Sequence, residues 1–258
     1  IATWAKKNSK NNYDCVIGVS GGKDSTLQAI IARDKLGLRC LLVNSEPEGI
    51  TKVGQHNIEN LKNLGFDVIS LRPNPKLMKK LIKRDFYKYL NPQKITESSL
   101  YSSGYIIADE FIIQGENAGL TLGVSNTGLG KSYDALNITG SNTLSTGWED
   151  YLEVDGVEEK DLSMFHFNKK RILEKGFRAI WLQYFLKDWS NDKNAKFAED
   201  YGFKTRPSNF NPYSIGTYVS YCGVDSDLIQ VNQLLKSVKF GFGQCLDHVC
   251  YDLRDGLI

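Results

Sequence analysis

Six residues, Ser20-Gly21-Gly22-Lys23-Asp24-Ser25, stand between an apolar run and a helical pattern, and they restrict the possible folds more than any other feature. Residues 13–19 (Tyr-Asp-Cys-Val-Ile-Gly-Val) are rich in β-branched side chains and read as a buried strand. Residues 25–36 read as a helix whose apolar stripe is Leu27, Ile30, Ile31 and Leu36. Two glycines let the intervening backbone turn tightly and approach a ligand with no Cβ in the way. The turn aims backbone N–H groups and a helix N-terminus at one point, which makes an anion site. Ser20, Ser25 and Thr26 add hydroxyl donors there, and Lys23 adds a mobile positive charge.

The same strand–helix rhythm continues. Leu38–Asn44 and Phe66–Leu71 read as strands, Thr51–Leu64 and Pro75–Leu90 as amphipathic helices, and Phe111–Gln114 as a fourth strand. Gly65 is placed to end the second helix. Strands alternating with helices imply a parallel sheet with right-handed crossovers, an α/β fold. From about residue 121 the text becomes rich in Gly, Ser, Asn and Thr, then helical and aromatic. We therefore expect an α/β domain over 1–120 and a mainly helical, substrate-binding half over 121–258 packed on the sheet. Most of its aromatics, such as Trp148, Phe165, Phe167, Trp181 and Trp189, are expected in the core.

Charge and cysteine usage narrow the class. The 32 basic and 30 acidic residues are interspersed and leave a net charge of +2, which speaks against a nucleic-acid protein. No apolar run approaches the ~20 residues of a membrane span, and no signal peptide is evident, so a cytoplasmic location is expected. None of the five cysteines forms a C-x-x-C pair. Cys245, Cys250 and His248 fall short of a tetrahedral metal set, and ordinary packing is the expectation for them. Other phosphate motifs fail on spacing. Gly130-Lys131-Ser132 could end a Walker A loop, but Ser125 occupies its first glycine; Gly18, Gly21 and Gly22 do not fit a dinucleotide fingerprint.

The sequence Ser20-Gly21-Gly22-Lys23-Asp24-Ser25 resembles the S-G-G-x-D-S signature of PP-loop ATP pyrophosphatases, in its required place after a strand and before a helix. The resemblance implies an adenine nucleotide alpha hydrolase-like fold, ATP cleaved between its α- and β-phosphates, and Mg2+ as a second cofactor. Within that superfamily, several blocks over roughly residues 13–258 look like the N-acetyl sugar amidotransferases of bacterial surface-glycan biosynthesis. They are Gln114-Gly115-Glu116-Asn117-Ala118-Gly119, Lys193–Ala198 with Tyr201-Gly202-Phe203, Gly216-Thr217-Tyr218, Lys239-Phe240-Gly241-Phe242-Gly243, Asp247-His248 and Leu253-Arg254-Asp255-Gly256. Such enzymes turn an acetamido group of a pseudaminic or legionaminic acid or an O-antigen sugar into an acetamidino group. An O-adenylyl imidate forms, ammonia displaces AMP, and pyrophosphate is the other product.

Ligands of α/β sheets sit beyond the carboxyl ends of strands, so Asn44 is expected beside adenine and ribose, with Gly115 facing the same crevice. By the resemblance, Ser20, Gly21, Gly22, Lys23, Asp24, Ser25 and Thr26 hold the phosphates. Asp24 orients the loop or meets magnesium through water; the bland alternative is a structural hydrogen bond. Glu116 binds magnesium, orients the acceptor or caps a helix, and Asn117 lies on the substrate side. Lys239 reaches the phosphates or is a solvated lysine. His248 is a substrate-side base or a packed histidine, and Arg254 grips an acidic sugar or makes a surface ion pair.

The resemblance is incomplete in three places, one of them the stretch Tyr105–Phe111, which looks short for a crossover between strands. No cysteine-bearing segment precedes Tyr13, and with Ile1 first the sequence reads as an excerpt; Gln244 stands where a basic residue is expected. A separate glutaminase subunit is the expected ammonia source, with no nucleic-acid or membrane partner. The rivals are a tRNA-modifying PP-loop enzyme (base thiolation or lysidine formation) and an ATP-binding module without turnover.

Overall fold

The computed structural model describes residues 2–9, 12–107, 111–114, 147–168, 170, 174, 178–187 and 189–258. Five parallel strands form one sheet in the order β3-β2-β1-β4-β5: β1 Cys15–Val19, β2 Cys40–Ser45, β3 Asp67–Leu71, β4 Phe111–Gln114 and β5 Arg178–Trp181. This is the parallel α/β arrangement expected of a PP-loop fold, with four strands where the apolar runs placed them. The fifth was not foreseen; it follows residue 121, so the sheet draws on both halves of the chain.

In register, Cys15 pairs with Cys40 and Ile17 with Leu42, and these four join one apolar cluster on a single face. Helices α1 (Ala2–Asn8), α2 (Lys23–Ile30) and α3 (Lys52–Asn63) cover that face, bringing Ala5, Leu27, Ile30, Ile58 and Leu61 to it. After Ile30, α2 winds on as a wider turn through Lys35, with Leu36 N–H donating to Ile31 O. Gly65 takes φ +84° just past α3, as its place in the sequence predicts.

Helix α4 (Pro75–Tyr89) begins at Asn74, whose side chain accepts from Lys76 N, and is followed by α5 (Lys94–Ile107). Helix α5 packs on β1 and β2 from the opposite face, where Ser45 and Ser99 hydroxyls meet at 2.9 Å. The sequence reading passed over α5 because serines interrupt its apolar pattern. Ser98, Ser99 and Ser103 instead donate to carbonyls three or four residues back, which lets a serine-rich helix lie close against a sheet. A second apolar cluster joins α4 and Ile95 to Tyr151, Leu162 and Phe165.

Among the described residues, four further α-helices follow β5: α6 Asn191–Asp200, α7 Pro212–Ile215, α8 Asp227–Phe240 and α9 Gln244–Arg254. Of the aromatics expected in the core, Phe165 and Trp181 are buried, and Trp148 stacks on His166 at 4.0 Å. No described helix is long and apolar enough to cross a membrane.

Candidate active site

A cavity of about 340 Å³ opens beyond the carboxyl ends of β1 and β2. Its floor is the Gly-rich turn, with Ser20, Gly22, Lys23 and Asp24 in the lining. Gly22 is the N-cap of α2 and no side chain caps that end, so the first N–H groups of the helix have no side-chain acceptor. Gly21 sits at φ +78°, where a Cβ would come within 3.2 Å of Asn57 and Ile58. Glycine is required there by both conformation and space. Ser25 Oγ donates to Gly22 O at 3.1 Å, and Thr26 is buried.

Lys23 is 8% exposed and its charge is held in place. Its Nζ lies 2.6 Å from Asp24 Oδ2 and 3.0 Å from Asn191 Oδ1, and 5.5 Å from the centre of the Tyr221 ring. Asp24 also accepts from Asn194 Nδ2 at 2.8 Å. Helix α6, capped by Ser190, thus delivers two asparagines that fix the loop's lysine and aspartate.

The far walls come from α5 and from the last quarter of the chain. Gln93, Thr96, Glu97 and Leu100 recur at the spacing of one helical face. Across from them stand Tyr221–Ser226, then Ile229, Asn232 and Gln233 of α8, and Gln244 and His248 of α9. Arg206 secures the 220–223 segment by donating to the carbonyls of Ser220, Cys222 and Gly223. A bridge between Ile50 and Ser226, with Thr51 N–H on Asp225 O, fastens the next stretch to the loop after β2. Asp225 crowds α3 so closely that a Cβ on Gly54 would fall 2.8 Å from its Cα.

Three carboxyls line the cavity, and two of them lack side-chain partners among the described residues. Burial raises Glu97 to about 7 and Asp225 to about 6, because each would carry its charge away from water. The Cys222 thiol is pushed up to about 11 by burial, which keeps it protonated and unreactive. His248 is 7% exposed, and burial lowers it to about 4. Its Nδ1 lies 2.6 Å from Thr217 Oγ1, which itself accepts from Val219 N–H. A neutral imidazole accepting the threonine proton at Nδ1 carries its own proton on Nε2.

No protein-family model matches the chain, and no curated protein matches it. Among solved structures it is similar to a predicted subunit of tRNA methyltransferase from Methanocaldococcus jannaschii (16% identity, 87% of this chain and 88% of that one, TM-score 0.38). It is also similar to the NMN synthetase of Francisella tularensis (18%, 81% and 95%, TM-score 0.35). A third is the NH3-dependent NAD synthetase of Campylobacter jejuni subsp. jejuni (16%, 77% and 88%, TM-score 0.34). Likeness at these scores says nothing of what this chain binds.

The cavity therefore gathers Ser20, Gly22, Lys23, Asp24 and His248 from the residues that the sequence singled out. Asn44 is buried in the sheet at 2% exposure, and its neighbour Ser45 reaches the cavity instead. Lys239 stands away from the lining and donates to Tyr89 O at 2.7 Å. Arg254 ends α9, exposed, with its guanidinium 5.4 Å from the Tyr251 ring. Lys239 is thus tied to a main-chain carbonyl rather than freely solvated, and Arg254 makes no ion pair among the described residues. Gly115, Glu116, Asn117 and the Gly128–Ser132 stretch lie outside the described residues. Cys245 is exposed, and the described residues contain no cluster of three metal-ligating side chains.

Sequence reasoning missed Glu97, Asp225, Gln93 and Arg206. The first and third needed α5 to be recognised as a helix, since their four-residue spacing then shows a polar face. The other two sit in loops whose tertiary contacts leave no local pattern.

Proposed function

We propose that the chain is an ATP-dependent amidotransferase that converts the acetamido group of an N-acetyl sugar into an acetamidino group, in bacterial surface-glycan biosynthesis. One observation carries the reading: the uncapped Gly-rich turn and Lys23 share one crevice with polar side chains brought by α5, α8 and α9, so a triphosphate and an acceptor can meet there. The motif blocks Gly216-Thr217-Tyr218 and Asp247-His248 support it, since Thr217 and His248 come together beside that crevice.

An acetamide carbon resists ammonia because its oxygen is a poor leaving group. In the proposed reaction that oxygen attacks the α-phosphorus of ATP, the bond to the β-phosphate breaks, and pyrophosphate leaves. Ammonia then adds to the imidate carbon, the C–O bond breaks with AMP taking the electron pair, and one nitrogen proton is lost. The helix N-terminus and Lys23 stabilise the departing pyrophosphate, with phosphate oxygens replacing Asp24 as the lysine's partner. Glu97, a carboxyl poised near neutrality in the same cavity, accepts the nitrogen proton. Magnesium is held by one or two carboxylates together with substrate phosphates; Asp24 and Asp225 in the lining fit that need, and the ion would screen the triphosphate.

The test is incubation with ATP, magnesium, ammonium and a panel of N-acetyl sugars, with AMP, ADP and pyrophosphate measured. AMP formation that needs both sugar and ammonium, with an amidine in the product mass spectrum, is the expected result. ADP in place of AMP would overturn the assignment of the loop, and AMP formed only with tRNA would overturn the acceptor.

A further inference from the structure

Two parts of the cavity lining, from the start of α5 and from α8 and α9, share an unusual chemistry. Gln93, Thr96 and Gln244 are each at least nine-tenths buried, and each holds a side-chain polar atom with no partner among the described residues: Nε2, Oγ1 and Oε1 respectively. Gln233 adds a fourth such atom, its Oε1. Gln244 is held by its other end, with Nε2 donating to Cys222 Sγ at 2.8 Å. Buried polar groups without partners cost stability, so four of them around one cavity mark a surface organised for a ligand.

The charge pattern narrows that ligand. Among the described lining residues Lys23 is the sole lysine or arginine, and Asp24 and Asn191 already hold it at the phosphate end. Asp24, Glu97 and Asp225 supply the acidic side chains. Among the described lining residues, a ligand carboxylate would meet like charge and no guanidinium, and a nucleic acid would find no basic track. Carboxamides and a hydroxyl, by contrast, both donate to and accept from sugar hydroxyls and an amide.

We infer that Gln93, Thr96, Gln233 and Gln244 form the acceptor subsite, and that it takes an uncharged N-acetylhexosamine unit in preference to a carboxylate-bearing sugar or a nucleic acid. The subsite rests on the amidotransferase reading for the acetamido group alone; its preference for an uncharged, hydroxyl-rich ligand rests on the wall itself. Arg254, expected from the sequence to grip an acidic sugar, is not among the described lining residues.

The experiment is a binding measurement on the whole chain, by calorimetry and saturation-transfer NMR. The probes are the methyl glycosides of N-acetylglucosamine, N-acetylgalactosamine and N-acetylmannosamine, with N-acetylneuraminic acid and a single-stranded RNA as competitors. At least one neutral glycoside should bind at millimolar concentration or better, and more tightly than the acid or the RNA. The variant Gln93→Met/Thr96→Val/Gln244→Met should weaken it about tenfold or more while melting at the same or a higher temperature, because it deletes unpartnered polar atoms. A structural role would instead lower the melting temperature. No binding by any neutral glycoside, tighter binding of the acid or RNA, or an unchanged affinity in the triple variant would overturn the proposal. Sugar binding without ATP cleavage to AMP would leave the subsite standing and remove the amidotransferase reading. Cleavage supported by an acidic acceptor would do the reverse.

Discussion

Replacing Glu97 by glutamine should make the protein more stable, and by an amount that depends on pH. The carboxyl lies on the cavity face of α5 beside Gln93, Thr96 and Leu100, and the other titratable groups in that lining are Lys23, Asp24, Tyr221, Cys222, Asp225 and His248. Burial alone raises it from 4.5 to about 7. Its folded value is above its unfolded one, so the folded state keeps the proton longer and stability falls as pH rises from about 4.5 through about 7. At pH about 8.5 the charged carboxylate costs on the order of 3 kcal/mol, and at pH about 5 on the order of 1 kcal/mol. Glu97→Gln removes that cost, so its advantage over the parent should grow by about 2 kcal/mol between those two conditions. Urea denaturation at both pH values measures it directly. The same variant should lose ammonia-dependent AMP formation while still binding ATP, since the proton acceptor is gone and the phosphate turn is intact. An advantage equal at both pH values would refute the idea that Glu97 is charged at a desolvation cost.

Three further outcomes are expected. Lys23→Ala should weaken a non-hydrolysable ATP analogue by about tenfold or more, read by calorimetry, because a charge-assisted contact to phosphate is worth about 1.5–3 kcal/mol. His248, held near 4 by burial, should show neutral-imidazole NMR shifts down to pH about 5; stability contributed by keeping it neutral should fade as pH drops from 6.5 through about 4. Gly54→Ala would place a Cβ 2.8 Å from Asp225 Cα and O, both backbone atoms, and should cost about 1–3 kcal/mol in chemical denaturation.

What could be read from the text followed from how locally each feature is encoded. Strands β1 to β4 and helices α2 to α4 announce themselves by apolar periodicity, and the turn at Ser20–Ser25 by its glycines between two such patterns. Helix α5 is satisfied by serine-to-carbonyl hydrogen bonds, which leave no apolar stripe to read. Strand β5 is four residues long and gains its identity from pairing with β4. Among site residues, His248 was legible as one of three histidines in a motif-like block, whereas Glu97 and Asp225 looked like any surface acid. Lys239 and Arg254 show the converse. Basic residues near the end of a helix also serve that helix's negative pole, and such lysines and arginines look alike in sequence.

The bridge from Ile50 to Ser226, with Ser226 Oγ on Glu48 O, joins points more than 170 residues apart. Closing so large a loop costs entropy before any contact repays it. On a ribosome, the β1–α2 turn emerges well before Ser226, and the segment fastened by the bridge cannot be secured until the chain beyond Ser226 has followed. The phosphate turn therefore exists as an open shelf until then, and the pocket becomes an enclosure only once Ser226 has emerged.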